Sequence, residues 1–182
     1  MYKKIVSCFI LVIPIVVPVF SVMADTNTTL IEERKIIRSF TSFRSEANTA
    51  KKEIECPNSV ASDMVPAMWG DGALYGCILG KNETVKWFIN ENTPNSNQVK
   101  NVKFLWNDWF KDRGHGRHPD KKEAKKTLKA LIKLYAPKKS KEVYSVFFGN
   151  TSKTIIAANF ILNYTYIRGP AIDERMIIVT KK

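Results

Sequence analysis

The sequence predicts an α+β domain: an antiparallel sheet of about five strands, arranged as two hairpins or a meander, with two to three helices packed on one face. Three observations carry this. Residues 73–106 hold strand-favouring stretches separated by short turn clusters. Residues 119–135 show helical periodicity, with lysines opposite the apolar positions. Residues 154–180 return to strand composition on either side of Gly169-Pro170.

The N-terminal end reads as an address. Lys3 and Lys4 precede an apolar run from Ile5 to Phe20, followed by Ser21-Val22-Met23-Ala24. Basic, then apolar, then small is the layout of a secretory signal, and Val22 and Ala24 suit a cut before Asp25. The run of 16 residues falls short of the roughly 20 that span a bilayer, and Pro14 and Pro18 interrupt it. Residues 1–24 are therefore expected to be a signal peptide and residues 25–182 a single exported domain, periplasmic or secreted. Removing 24 residues from 182 leaves 158, enough for one core. Losing two lysines takes the formal charge from +12 to +10, a balance that favours anionic partners. Cys56 and Cys77 are the cysteines that remain, and an oxidising compartment would join them in a disulfide.

Along the mature chain, Ile36, Phe40 and Phe43 are spaced as one face of a helix over about 30–52, ended by Cys56-Pro57. Residues 57–72 carry loop punctuation at Pro57, Pro66, Gly70 and Gly72, with apolar Met64, Val65, Met68 and Trp69 between. Ala73–Leu79 and Thr84–Asn90 form a hairpin candidate around Gly80-Lys81-Asn82-Glu83. Val99–Trp106 alternates as a strand, although Val99, Val102, Trp106 and Trp109 also fit a helical face; the short connections favour the strand. The helix at 119–135 should begin with Pro119 at its first position and Asp120 and Glu123 at its positive end. A short helix over 139–148 ends at Gly149, and a long strand over 154–168 pairs with a return strand over 175–180.

The motifs for phosphate loops, nucleophile elbows and Cys-x-x-Cys redox pairs are missing from the sequence, and no cofactor is implied. Three features remain. His115 and His118 sit in a Gly-broken loop with Asp108, Asp112 and Asp120, where imidazole and carboxylate could transfer a proton or bind a metal. Lys122, Lys126, Lys129 and Lys133 form the polar side of the 119–135 helix, an anion-binding surface. Lysine dominates over arginine there and no aromatics are interleaved, which speaks against specific nucleic-acid recognition. Met64, Met68, Trp69, Tyr75, Trp87, Trp106 and Trp109 would line an apolar cavity or form core.

The expectation is a non-enzymatic exported module that binds another protein or an anionic envelope component, peripheral contact with an anionic membrane being one form of this. Two alternatives stand beside it: a small hydrolase or metal-dependent enzyme built on the 108–120 loop, and a carrier of a small apolar ligand.

Overall fold

The computed structural model describes residues 38–56, 72–112, 114 and 116–182. Residues 1–24, expected to be a signal peptide, together with Ile36, Ile37, the stretch Met64–Trp69, Arg113 and His115, lie outside the described residues.

Helix α1 (Phe43–Glu53) leads to strands β1 (Leu74–Leu79), β2 (Val85–Glu91) and β3 (Val99–Trp109). Helix α2 (Lys121–Tyr135), a single 3₁₀ turn (Pro137–Lys139) and helix α3 (Ser140–Phe147) follow. Strands β4 (Lys153–Ile156), β5 (Phe160–Arg168) and β6 (Ile172–Lys181) complete the chain. The sheet is antiparallel throughout, in the order β1-β2-β3-β6-β5-β4. Two three-stranded meanders thus join along β3 and β6, and the helical connection between them crosses one face. The α+β class is borne out, with six strands rather than about five.

Strand alternation sorts the core. Val102, Phe104, Trp106 and Asp108 of β3 share the inner face with Val179, Ile177, Arg175 and Asp173, their cross-strand partners on β6. The helix–strand ambiguity at 99–109 is settled by this period-two burial. Against that face α2 packs Ala124, Leu128, Leu131 and Tyr135, and α3 packs Val143 and Phe147. Trp87, Trp106 and Tyr75 are core residues, with Trp87 ring-stacked on Tyr135.

The Cys56–Cys77 disulfide is present, with Cα atoms 6.0 Å apart, and ties the end of α1 to β1. Gly80, at φ +85°, closes the β1–β2 turn where any Cβ would strike the Asp120 carboxylate.

Three element boundaries differ from expectation. The first helix starts at Phe43, because Ser42 caps it by accepting from Ser45 N–H, so Phe40 lies before the helix rather than on its face. The second starts at Lys121, because Pro119 is held outside by its carbonyl, which accepts from Trp106 Nε1 at 3.1 Å. The stretch 154–168 is not one strand. Ala157 N–H donates to Phe160 O at 2.9 Å and reverses the chain between β4 and β5. Ala-Ala-Asn carries no glycine or proline to announce that turn, and it leaves Ile156 58% exposed instead of buried beside Phe160.

Candidate functional site

One end of the inner face carries charge instead of hydrocarbon. Asp108 and Asp173 sit directly opposite each other on β3 and β6. Like charges so placed repel, and both are buried. Arg175 resolves the conflict. Its Nε donates to Asp108 Oδ2 at 3.2 Å, its Nη2 lies 3.8 Å from Asp173, and its guanidinium lies over the Tyr166 ring. Its Nη1 donates to the carbonyls of Phe147 at 3.1 Å and Gly149 at 2.6 Å. Phe147 O is the last carbonyl of α3 and Gly149 O lies just past its end, so the cation also meets the negative end of that helix. Tyr164 donates to the same two carbonyls, and burial pushes its hydroxyl pKa up. Tyr166 donates to Asp173 Oδ2 at 2.9 Å, and Asp173 Oδ1 is buried with no partner among the described residues.

His118 closes this cluster from the solvent side. Its Nδ1 lies 2.6 Å from Asp108 Oδ1, with the histidine side chain 42% exposed and the aspartate side chain 4%. The backbone holds the imidazole there: His118 has φ 55°, and its N–H donates to Trp109 O at 2.7 Å. A buried carboxylate orienting a partly exposed imidazole is the geometry of a general base. Arg175 binds the same carboxylate, so Asp108 is shared between the imidazole and the guanidinium.

The other aspartates serve elsewhere. Asp120 accepts from Asn82 N–H and Nδ2 and from Thr84 N–H and Oγ1, binding the β1–β2 turn to the start of α2. Asp112 Oδ1 accepts from Gly114 and Gly116 N–H and shapes its own loop. Of the candidate loop residues, His118 and Asp108 meet; His115 lies outside the described residues. Among the described residues no group of three His, Cys, Asp or Glu side chains comes together to hold a metal.

Lys122, Lys126, Lys129 and Lys133 of α2 are all exposed, opposite its buried side. They are not equivalent. Lys126 Nζ donates to Glu55 at 2.7 Å, which raises its pKa, and Lys133 Nζ donates to Glu53 at 2.8 Å. These two tie α2 to the end of α1. Lys122 and Lys129 line a groove of about 720 Å³ together with Lys81 and Lys125. Lys129 also borders a second groove of about 580 Å³ between α2 and α3, with Lys133, Lys141 and Ser140.

A third place was not legible in the sequence. Glu46 of α1 is fully buried and accepts from Arg38 Nη2 and from the Tyr135 hydroxyl, each at 2.5 Å, and from Thr41 N–H and Oγ1. Burial, and then the adjacent Glu46 charge, push the Tyr135 pKa well up, so it stays a donor. Arg38 and Tyr135 border a cavity of about 290 Å³ that Phe160, Leu134 and Ile156 also line. Arg175 and Asp173 escaped notice because they stand in a run of three charges with Glu174, and Glu46 because it stands in a polar, charged helix, so residue type alone does not mark any of them as buried. A charge at a core-facing strand position is the one signal that could have found Asp173 and Arg175.

Among the described residues no helix is long and apolar enough to cross a membrane. Comparison of the chain with protein-family models, with curated proteins and with solved structures returned no match.

Proposed function

We propose that this chain is an exported, non-enzymatic binding module whose α2 lysine face docks on an anionic component of the cell envelope. The observation that carries the reading is the continuity of the charge. The grooves at the two ends of α2 share Lys129, so a lining in which lysines outnumber the carboxylates Asp120 and Glu123 runs from Lys81 to Lys141 along a helix of 15 residues, about 22 Å long. The apolar side of α2 is wholly engaged in the core, which leaves the lysines facing outward for a partner. The signal-like N-terminal layout and the disulfide support export. The test is retention of the mature domain on a phosphate-bearing matrix at increasing salt. Retention at low salt that is lost by about 0.5 M, where screening shortens the reach of charge to about 4 Å, supports the reading. Passage through the matrix at low salt contradicts it.

Proton transfer at His118 is the second reading, favoured by the 2.6 Å contact with buried Asp108. Turnover of a chromogenic ester, lost in His118→Ala with the melting temperature kept, would support it. Parent protein without turnover contradicts it.

A further inference from the structure

The cavity beside Arg38 has the chemistry of a ligand site. Its walls are apolar: Leu134 and Ala136 from the end of α2, Pro137 after it, and Ile156, Ala157 and Phe160 around the β4–β5 turn. Its floor is rigid. Tyr135 and Phe160 meet edge to face at 5.2 Å, and the Tyr135 hydroxyl is fixed on Glu46. A volume of about 290 Å³ lies at the small end of the range for ligand pockets. The rim is cationic. Arg38, Lys138 and Lys139 all border the opening. Arg38 is matched by buried Glu46, and Glu142 is shared between Lys139 and Lys153. The four cations of this neighbourhood therefore meet two carboxylates, and positive charge is left at the mouth. The large exposed side chain at the edge, Ile156, adds apolar surface where a ligand would enter.

We infer that this cavity binds a small amphipathic anion: an apolar body of aromatic-ring size that lies against Tyr135 and Phe160, and one carboxylate that meets Lys138 at the rim. The apolar walls select the body and the surplus positive charge at Lys138 selects the head group, as few convergent polar groups do in pockets of this kind. The site adjoins the groove between α2 and α3, with which it shares Pro137, but Lys122, Lys126 and Lys129 take no part in its lining.

Calorimetric titration of the mature domain with 4-phenylbutyrate, 4-phenylbutanol and 4-phenylbutylamine tests the inference, since the three share a body and differ in head charge. Saturable one-to-one binding in the order carboxylate, alcohol, amine is expected. Lys138→Glu should weaken the carboxylate roughly fivefold and leave the alcohol unchanged. Ala158→Trp at the exposed mouth should weaken all three about tenfold, with the melting temperature of the parent. Lys129→Glu, on the other surface, should change none of them. No saturable binding of any of the three overturns the site. Equal binding of all three head groups, or binding indifferent to Lys138→Glu, overturns the anionic specificity. Binding indifferent to Ala158→Trp puts the ligand elsewhere. None of these outcomes bears on retention by the α2 face, so the two readings fail separately.

Discussion

The two most charged regions of the molecule use charge in opposite ways. Around Arg175 the ions are buried, few and interlocked: one guanidinium serves two aspartates and two carbonyls at and just past the end of α3. Along α2 the ions are exposed, numerous and mostly of one sign. Taking ions out of water is costly, so the first set is stable only as a complete group. Solvated lysines cost almost nothing to keep and little to remove. The difference teaches where to look for function. A charge whose every atom is engaged in holding two strands and a helix has little left for a partner, whereas an exposed stripe retains it.

The largest break in this comparison comes from Arg175→Leu. It leaves Asp108 and Asp173 facing each other in the core without their cation. A loss of about 3–5 kcal/mol is expected, read as a lower urea midpoint. Loss below about 1 kcal/mol would mean that the cluster is hydrated and behaves like the surface. Reduction of Cys56–Cys77 follows. The bond closes a loop with a sequence separation of 21, and its loss should cost about 3 kcal/mol in the chain-entropy estimate. An unchanged midpoint in reductant would assign the α1–β1 junction to packing alone.

A smaller effect tests a carboxylate between the two extremes. Glu91 accepts from Ala73 N–H at 2.9 Å and from Asn97 N–H at 2.6 Å, and these backbone donors, Ala73 first, hold its pKa below the usual range. Because the folded value lies below the unfolded one, the contribution is present above the unfolded pKa and is lost as pH falls through the folded one. Glu91→Gln should therefore be less stable than the parent by about 1 kcal/mol at pH 7. The gap should close on acidification past the ordinary carboxylate range. A gap independent of pH would contradict the backbone hydrogen bonds as its cause.

The smallest effects belong to α2. Lys126→Ala and Lys133→Ala break exposed pairs with Glu55 and Glu53 and should each cost less than about 1 kcal/mol. A cost several times larger would place these lysines with Arg175 as structural charge.

The contrast between the two regions also explains what could be read in advance. Periodicity exposes whatever repeats, so the α2 stripe and the β3 alternation were legible from spacing, and the Cys56–Cys77 pairing from the even cysteine count and the expected export. The turn at Ala157–Asn159 was not, because it offers a single Asn without Gly or Pro and the reversal is accompanied by pairing of Ile155 with Leu162. Asp108 and His118 could be named as neighbours in one loop. Their true partner, Arg175, stands 67 residues from Asp108 in sequence. Only the β3–β6 register brings it there. Glu46 meets Arg38 and Thr41 within its own segment and Tyr135 across 89 residues. In both buried networks at least one partner comes from a distant part of the chain, where local pattern does not reach.

The most direct test of the central proposal compares two charge reversals of equal size. One variant carries Lys122→Glu and Lys129→Glu on the α2 face; the other carries Lys181→Glu and Lys182→Glu at the exposed C-terminal end. Both change the net charge by four. If the α2 face is the docking surface, the first pair should lose retention on a phosphate-bearing matrix at a salt concentration where the second pair is still held, with melting temperatures equal to the parent's. Equal loss of retention in the two variants would contradict a located site and reduce the binding to net charge alone.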